Sequence, residues 1–288
     1  MSRATKSIAV TGGRGRMSPG VAHHLADQGH AIQTFSRVAG DGHRAIAELT
    51  EPAVLREFDA VLQLGWSSVP LVSEENPGIE QIEDFPLARA MVEAASACDK
   101  PPKLVFFSTA AVYGNTGTTP VGEDTACSPL GRYAAAKLEV EKIFLSAPRS
   151  TVLRITNVFG SGCTRTRPQG IIPVLVDAAR SGNTVTLWGD GTATKDYIAV
   201  EDLRRAVDAL LESDLAGTFN VASGHVLSVN QLVDFVSLSA GNPVRIEHAP
   251  HYLWDVEQAY ISPQQFCAAT GWTPEVDLES AIAAMVRA

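Results

Sequence analysis

The sequence predicts an α/β fold, a doubly wound parallel sheet with a smaller C-terminal α/β lobe, and three observations carry that prediction. Short apolar runs alternate with helix-period stretches through the first half of the chain, the rhythm of βαβ units. Those runs lack polar alternation, as strands do when helices cover both faces of a sheet. A glycine-rich turn, TGGRGRMS from Thr11 to Ser18, stands directly between the first strand pattern and the first helix pattern.

Element by element, residues 8–11 read as a buried strand, 21–28 as a helix closed by Gly29, and 31–35 as a second strand. A strand at 60–64, a helix at 88–97 and a strand at 103–108 (KLVFFS) follow. Over 133–145, Ala134, Lys137, Leu138, Glu141 and Lys142 fit a 3.6-residue period, and 151–155 is the sixth apolar run. After Gly160 the texture changes to a Gly/Arg/Pro-rich stretch, GSGCTRTRPQG, then a helix over 172–180. Strands at 184–187 and 197–200 flank the turn Gly189-Asp190-Gly191, a strand is expected at 218–221, and helices at 229–236 and 278–286. This organisation predicts a dinucleotide-binding domain over 1–160 with a returning segment near 196–222. A substrate-binding lobe then covers 161–195 and 223–288, with no free linker.

Composition narrows the function. The 288 residues carry 23 Lys+Arg against 32 Asp+Glu, a formal charge of −9, so there is no basic surplus for nucleic acid or an anionic membrane. No apolar run approaches the roughly 18 residues of a membrane span. The N-terminal stretch MSRATKSIAVTGG lacks a secretory pattern. Cys98, Cys127, Cys163 and Cys267 lie 29, 36 and 104 residues apart, without the close pairs of a zinc site or disulfide framework. A cytoplasmic protein with reduced thiols and no metal is expected.

The glycine turn carries the first chemistry. Gly12 and Gly15 let the chain bend sharply and bring amides, with Arg16 and Met17, against a pyrophosphate at a helix N-terminus, the Rossmann arrangement. At the end of the second strand Ser36-Arg37 stands where an NAD site presents an acid to the ribose, and Arg37 with Arg14 suits a 2′-phosphate. NADP is thereby favoured over NAD, the alternative being two solvated surface arginines. Tyr133 and Lys137, four apart, share one helix face, where the lysine can stabilise a phenolate and bond a ribose. Ser108-Thr109 lies 24 residues upstream, at a strand end where such sheets bind ligands, and Thr109 is placed to share a substrate oxygen with Tyr133.

FSTAAVYG, PLGRYAAAK, LRITNVFGSG and GDGTATKDYIAVEDL, following TGGRGRMS in this order, resemble the extended short-chain dehydrogenase/reductases. More narrowly they resemble the NAD-dependent epimerase/dehydratase family typified by UDP-galactose 4-epimerase, over almost the whole chain. The resemblance implies that Thr109, Tyr133 and Lys137 are catalytic and that Asn157 binds the substrate's diphosphate region. It implies that Glu48-Leu49 frames the adenine, that Leu64-Gly65-Trp66 forms a loop beside the cofactor, and that Lys195 takes the place of an arginine touching the substrate nucleotide. It also implies a homodimer through the helices at 88–97 and 133–145, with Leu87, Met91, Ala94 and Ala95 as a compatible apolar stripe.

Four departures from the family pattern stand out. Ser18 replaces the third glycine, with Pro19 next. Trp66 is bulky for its loop and either narrows the site or fills a crevice. The stretch HYLWDVE (His251, Tyr252, Trp254, Asp255) lacks the arginine that grips a diphosphate, a role left to Arg165 or Arg167. Ala110 and Ala111 stand where dehydratases carry acids, which argues against elimination of water. The expected activity is C4 epimerisation of a nucleotide sugar through a transient ketone. An NADPH-dependent 4-ketoreductase and a non-catalytic dinucleotide sensor are the alternatives.

Overall fold

The computed structural model describes residues 4–160 and 170–288. Arg165, Arg167 and Cys163 lie outside the described residues. In chain order the first elements are β1 (Ser7–Thr11), α1 (Ser18–Asp27), β2 (Ala31–Ser36), β3 (Arg44–Ala45), α2 (Pro52–Leu55), β4 (Ala60–Gln63), α3 (Pro70–Glu75), α4 (Ile79–Ser96), β5 (Lys103–Thr109), α5 (Arg132–Leu145) and β6 (Ser150–Ile155). There follow β7 (Asn157–Phe159), α6 (Ile171–Ser181), β8 (Thr184–Trp188), β9 (Thr194–Ala199), α7 (Val200–Leu211), β10 (Gly217–Val221), β11 (Val226–Ser228), α8 (Val229–Ala240), β12 (Arg245–Ala249), β13 (Gln258–Ala259), α9 (Gln264–Thr270) and α10 (Leu278–Arg287). Two compact units result, one of Met1–Thr109, Gly131–Arg154 and Asp208–Phe219, the other of Ala110–Leu130, Ile155–Val207 and Asn220–Ala288.

The first unit holds the large sheet, ordered β10-β6-β5-β4-β1-β2-β3. Strand β1 runs parallel to β2 and to β4, with Ala9 beside both Gln33 and Val61, and β4 runs parallel to β5. The winding reverses between β1 and β4, the switch point outside which doubly wound sheets bind ligands. The strands are apolar because helices cover them: Ala9, Val61, Leu104, Phe106 and Val152 are fully buried. Phe106 stacks on Phe144 of α5 at 4.9 Å between ring centroids, and each such side chain contributes about 1.5–3 kcal/mol by leaving water.

Helix α4 begins nine residues before the expected start at 88, because Pro86 reads as a break in the sequence. Proline forfeits one backbone hydrogen bond, yet the upstream turns persist, since Glu80 and Asp84 are anchored by Ser68 and Ser67. Met91, Ala94 and Ala95, expected as an apolar stripe for a partner subunit, are buried in this unit's own core, with at most 4% exposure. A helix at such a periodic stripe packs against the nearest sheet first. Helix α7, which follows β9, is absent from the sequence expectation, although Glu201 and Asp202 at its start are an N-terminal signal.

In the second unit β9 is central, parallel to β7 and β13 and antiparallel to β11. Asp196, fully buried on β9, accepts hydrogen bonds from Thr156, from the amide and hydroxyl of Ser223 and from the Gly224 amide. Burial pushes its carboxyl above the usual range, against those bonds. Strands β8 and β12 pair in parallel, and Phe159, Leu175, Leu187, Leu232, Val236 and Ile282 form the core. Helix α8 starts in a capping box of Ser228 and Gln231. Among the described residues no helix is long and apolar enough to cross a membrane, and no group of three His, Cys, Asp or Glu is arranged for a metal ion.

Candidate active site

At the switch point the backbone itself forms a cradle. Gly12 has φ +74°, and a Cβ there would lie 2.9 Å from both the Gly65 Cα and the Ser18 Oγ. The Gly65 amide donates to Thr11 Oγ1 at 2.8 Å, and the Gly15 amide to the Gly12 carbonyl at 2.6 Å. The turn after β1 and the turn after β4 therefore touch through glycines, as a dinucleotide's pyrophosphate requires of its cradle. Arg16 and Met17 are part-buried at the start of α1, whose first amides have no side-chain cap. Ser18, in place of the third glycine, is 3% exposed and begins α1, with Pro19 in the first turn, where proline is tolerated.

At the end of β2, Ser36 is buried and donates to the Val38 carbonyl, and Arg37 is exposed. Arg14 is engaged: its guanidinium donates to the carbonyls of Val38 and Gly40 and pairs with Asp41 at 2.9 Å. Asp41 is exposed and stands in the left-handed region at φ +52°. No periodicity marks it; only its position between Gly40 and Gly42 hints at a turn. His43 bonds Thr34 at 2.7 Å and closes on the glycine turn, where a Cβ on Gly13 would lie 2.5 Å from its ring. Glu48 spends its carboxylate on Arg44 and the Ala45 amide, which hold it below the usual range, and Leu49 is wholly buried.

Tyr133 and Lys137 lie in the same unit. Helix α5 packs on β5 and carries Tyr133 and Lys137 one turn apart. Lys137 is 3% exposed and donates to the Phe107 carbonyl at 2.9 Å, two residues before Thr109 at the end of β5. Its Nζ stands 4.0 Å from the centre of the Trp66 ring, 4.7 Å from Phe106 and 5.9 Å from Tyr133. Burial pulls this ammonium down to about 7, against the opposing charges of Asp84 and Glu141. The phenol of Tyr133 is pushed up by burial and by the charges of Asp84 and Glu80. Leu64 and Gly65 lead into Trp66, which meets Tyr133 edge-on at 6.4 Å. Trp66 is part-buried and packs against the core of the first unit beside Phe106, Tyr133 and Lys137.

Sequence reasoning missed the acids behind this cluster. Asp84 accepts from the Ser67 amide and hydroxyl, and Glu80 from Ser68. The signal was present: residues 80, 84, 88, 91 and 95 form the buried stripe of α4, so two carboxylates stand at core positions. Ser108, expected beside the cofactor, turns its hydroxyl to Glu141, which also takes a bidentate pair from Arg154 at 2.8–3.2 Å.

In the second unit the register sets Asn157 beside Tyr197, with Asn157 Nδ2 donating to the Asp196 carbonyl at 2.8 Å. Lys195 lies on β9 between Leu227 of β11 and Ala259 of β13, and pairs with Asp255 at 2.6 Å. Trp188, Tyr252 and Trp254 stack in series at 4.5 and 4.6 Å.

A doubly wound sheet with a glycine cradle at its switch point, and a Tyr-x-x-x-Lys helix packed on a neighbouring strand, defines a protein of the short-chain dehydrogenase type. The chain belongs to the NAD dependent epimerase/dehydratase family, whose model matches residues 8–222. It is 30% identical to a UDP-glucose 4-epimerase of Corynebacterium glutamicum, over 93% of this chain and 91% of that one. It is 24% identical to a probable UDP-glucuronate 4-epimerase of Rhizobium meliloti, over 96% and 95%. The solved Thermus thermophilus UDP-glucose 4-epimerase in complex with NAD is 25% identical and superposes with a TM-score of 0.85, covering 98% of each chain.

Proposed function

We propose that this protein is a C4 epimerase of a nucleotide-activated hexose, most simply a UDP-sugar, working in the cytoplasm with a nicotinamide dinucleotide. The observation that carries the reading is the pairing, within one unit, of the Gly12–Gly65 cradle with Tyr133 and Lys137 against the strand end bearing Thr109. The cradle, the uncapped start of α1 with Arg16 and Met17, and the ribose-end group of Ser36, Arg37 and Asp41 would hold the dinucleotide. Bound there, it supplies the hydride chemistry that side chains lack.

Tyr133 Oη takes the proton of the sugar's C4 hydroxyl as the ketone forms, and returns it after the keto-sugar has turned over. Thr109 orients that oxygen. Lys137 supplies the positive charge that makes a phenolate attainable near neutral pH, which the burial of Tyr133 otherwise opposes. Asn157 and Lys195 are assigned to the substrate, Lys195 with its charge partly offset by Asp255. Ala110 and Ala111 offer no acid for eliminating water, which argues against dehydration.

A second reading, an NADPH-dependent 4-ketoreductase, is favoured by one observation: strand β2 ends in a buried serine and an exposed arginine, not an acid. Asp41 beside Arg14 favours NAD and the epimerase. Denaturing the purified protein and identifying the released nucleotide decides between them. Retained, stoichiometric NAD supports the epimerase; an empty protein that binds NADPH reversibly supports the reductase. Replacing Tyr133 with Phe should lower turnover by about 10²–10⁴-fold with dinucleotide binding nearly intact. Full activity in that variant would remove Tyr133 from the mechanism, and no dinucleotide binding at all would remove the enzyme.

The same reading assigns the active form to a homodimer. Support comes from a 350 Å³ groove between α4 and α5, where Phe85, Val92 and Ile143 are bordered by Arg89, Glu93, Glu139 and Lys142. Charges of both signs around an apolar floor make such a face self-complementary under two-fold symmetry.

A further inference from the structure

The turn that follows β4 carries a tryptophan against the catalytic lysine, and two buried carboxylates tie that turn to α4. Trp66 presents its ring to the Lys137 ammonium at 4.0 Å, and the next two residues, Ser67 and Ser68, give their hydroxyls to Asp84 and Glu80. Asp84 is 8% exposed and Glu80 1%. A carboxylate at a core position persists only with hydrogen bonds and a counter-charge. Ser67 supplies the bonds, through its amide at 3.2 and 3.3 Å and through its hydroxyl. Lys137 supplies the charge, which draws the Asp84 carboxyl down while burial raises it.

We propose that Asp84 is a positioning residue for the Tyr133–Lys137 pair: its buried carboxylate fixes the Trp66 turn through Ser67 and so holds the indole against the Lys137 ammonium. The inference rests on the reading of Tyr133 and Lys137 as the acid–base pair. The groups that bear on Lys137 can be named from every side. On α4 it is Asp84, and on α5 Glu141, which is paired with Arg154 of β6, while Asp84 and Glu80 both bear on the neighbouring Tyr133. Strand β5 offers the Phe107 carbonyl and the Phe106 ring, and α3 offers Glu74, already paired with Arg132. Glu141 is paired with Arg154, and Asp84 is the larger of the two influences that raise the Lys137 pKa.

Burial draws Lys137 down to about 7 and Asp84 up to about 6, so in each it disfavours the charged form. Removing the Asp84 charge lowers the lysine further. At a fixed pH near 7 fewer molecules then hold the cation, and the alkaline limb of turnover moves to lower pH. KM is expected to change little, because Asp84 faces the lysine and the serine turn.

The test is an NMR titration of the full chain with ¹⁵N-labelled lysine Nζ, assigned through Lys137→Arg, together with the pH profile of kcat. In Asp84→Asn, whose carboxamide can still accept from Ser67, the Lys137 midpoint should fall by about one pH unit, with the alkaline limb following. Ser67→Ala should shift it in the same direction by less, because Asp84 then loses the hydroxyl bond that favours its charged form. A folded Asp84→Asn protein with an unchanged Lys137 midpoint overturns the proposal. Should that variant not fold, an unchanged midpoint in Ser67→Ala does so instead. If the native protein turns over no nucleotide sugar, the epimerase reading fails while the titration still decides the role of Asp84.

Discussion

Glu141 stands one helical turn beyond Lys137 and is 1% exposed, with Arg154 as its partner and the Ser108 hydroxyl beside it. A buried ion pair adds little against an apolar replacement, but breaking it leaves an uncompensated charge. Glu141→Gln should therefore cost about 3 kcal/mol of stability in a denaturant titration. The spacing of Tyr133 and Lys137 was legible in the sequence, because a four-residue interval on a helix fixes a shared face. The partners of Lys137 were not, because Trp66, Asp84 and Phe107 come from three other segments, brought together only by sheet and helix packing.

Among elements, the junctions of strands with turns were the most legible, and the turn after β1 shows why. Glycine there has two independent reasons, a positive φ and a neighbouring backbone at 2.9 Å. Gly12→Ala should destabilise the first unit by about 1–3 kcal/mol and abolish dinucleotide binding in a calorimetric titration; retained binding would show that the cradle opens freely. Helix α4 was half legible: its second half has the apolar period, while Pro86 hides the first. The missing proline donor argues against a helix that runs through 86, and tertiary anchoring of Glu80 and Asp84 overrides it. Short strands such as β3, β11 and β13 escaped because two or three residues carry too few side chains to display a period.

For the whole molecule, the homodimer reading makes the groove between α4 and α5 an interface. Arg89→Glu places a third acid beside Glu93 and Glu139 on an exposed position, so it should convert a dimer to monomer by sedimentation velocity without lowering the melting temperature. A dimer unaffected by that change would move the interface elsewhere. By itself the sequence determined the doubly wound sheet, the glycine turn at its switch point, the Tyr133–Lys137 face and the family, because periodicity, chain order and spacing are properties of neighbouring residues. Only the tertiary structure decided that Met91, Ala94 and Ala95 serve the core, that Arg14 is bound to Asp41, and that Asp84 stands behind Lys137. Burial and charge compensation depend on which distant segments meet, and no local pattern in the chain encodes that meeting.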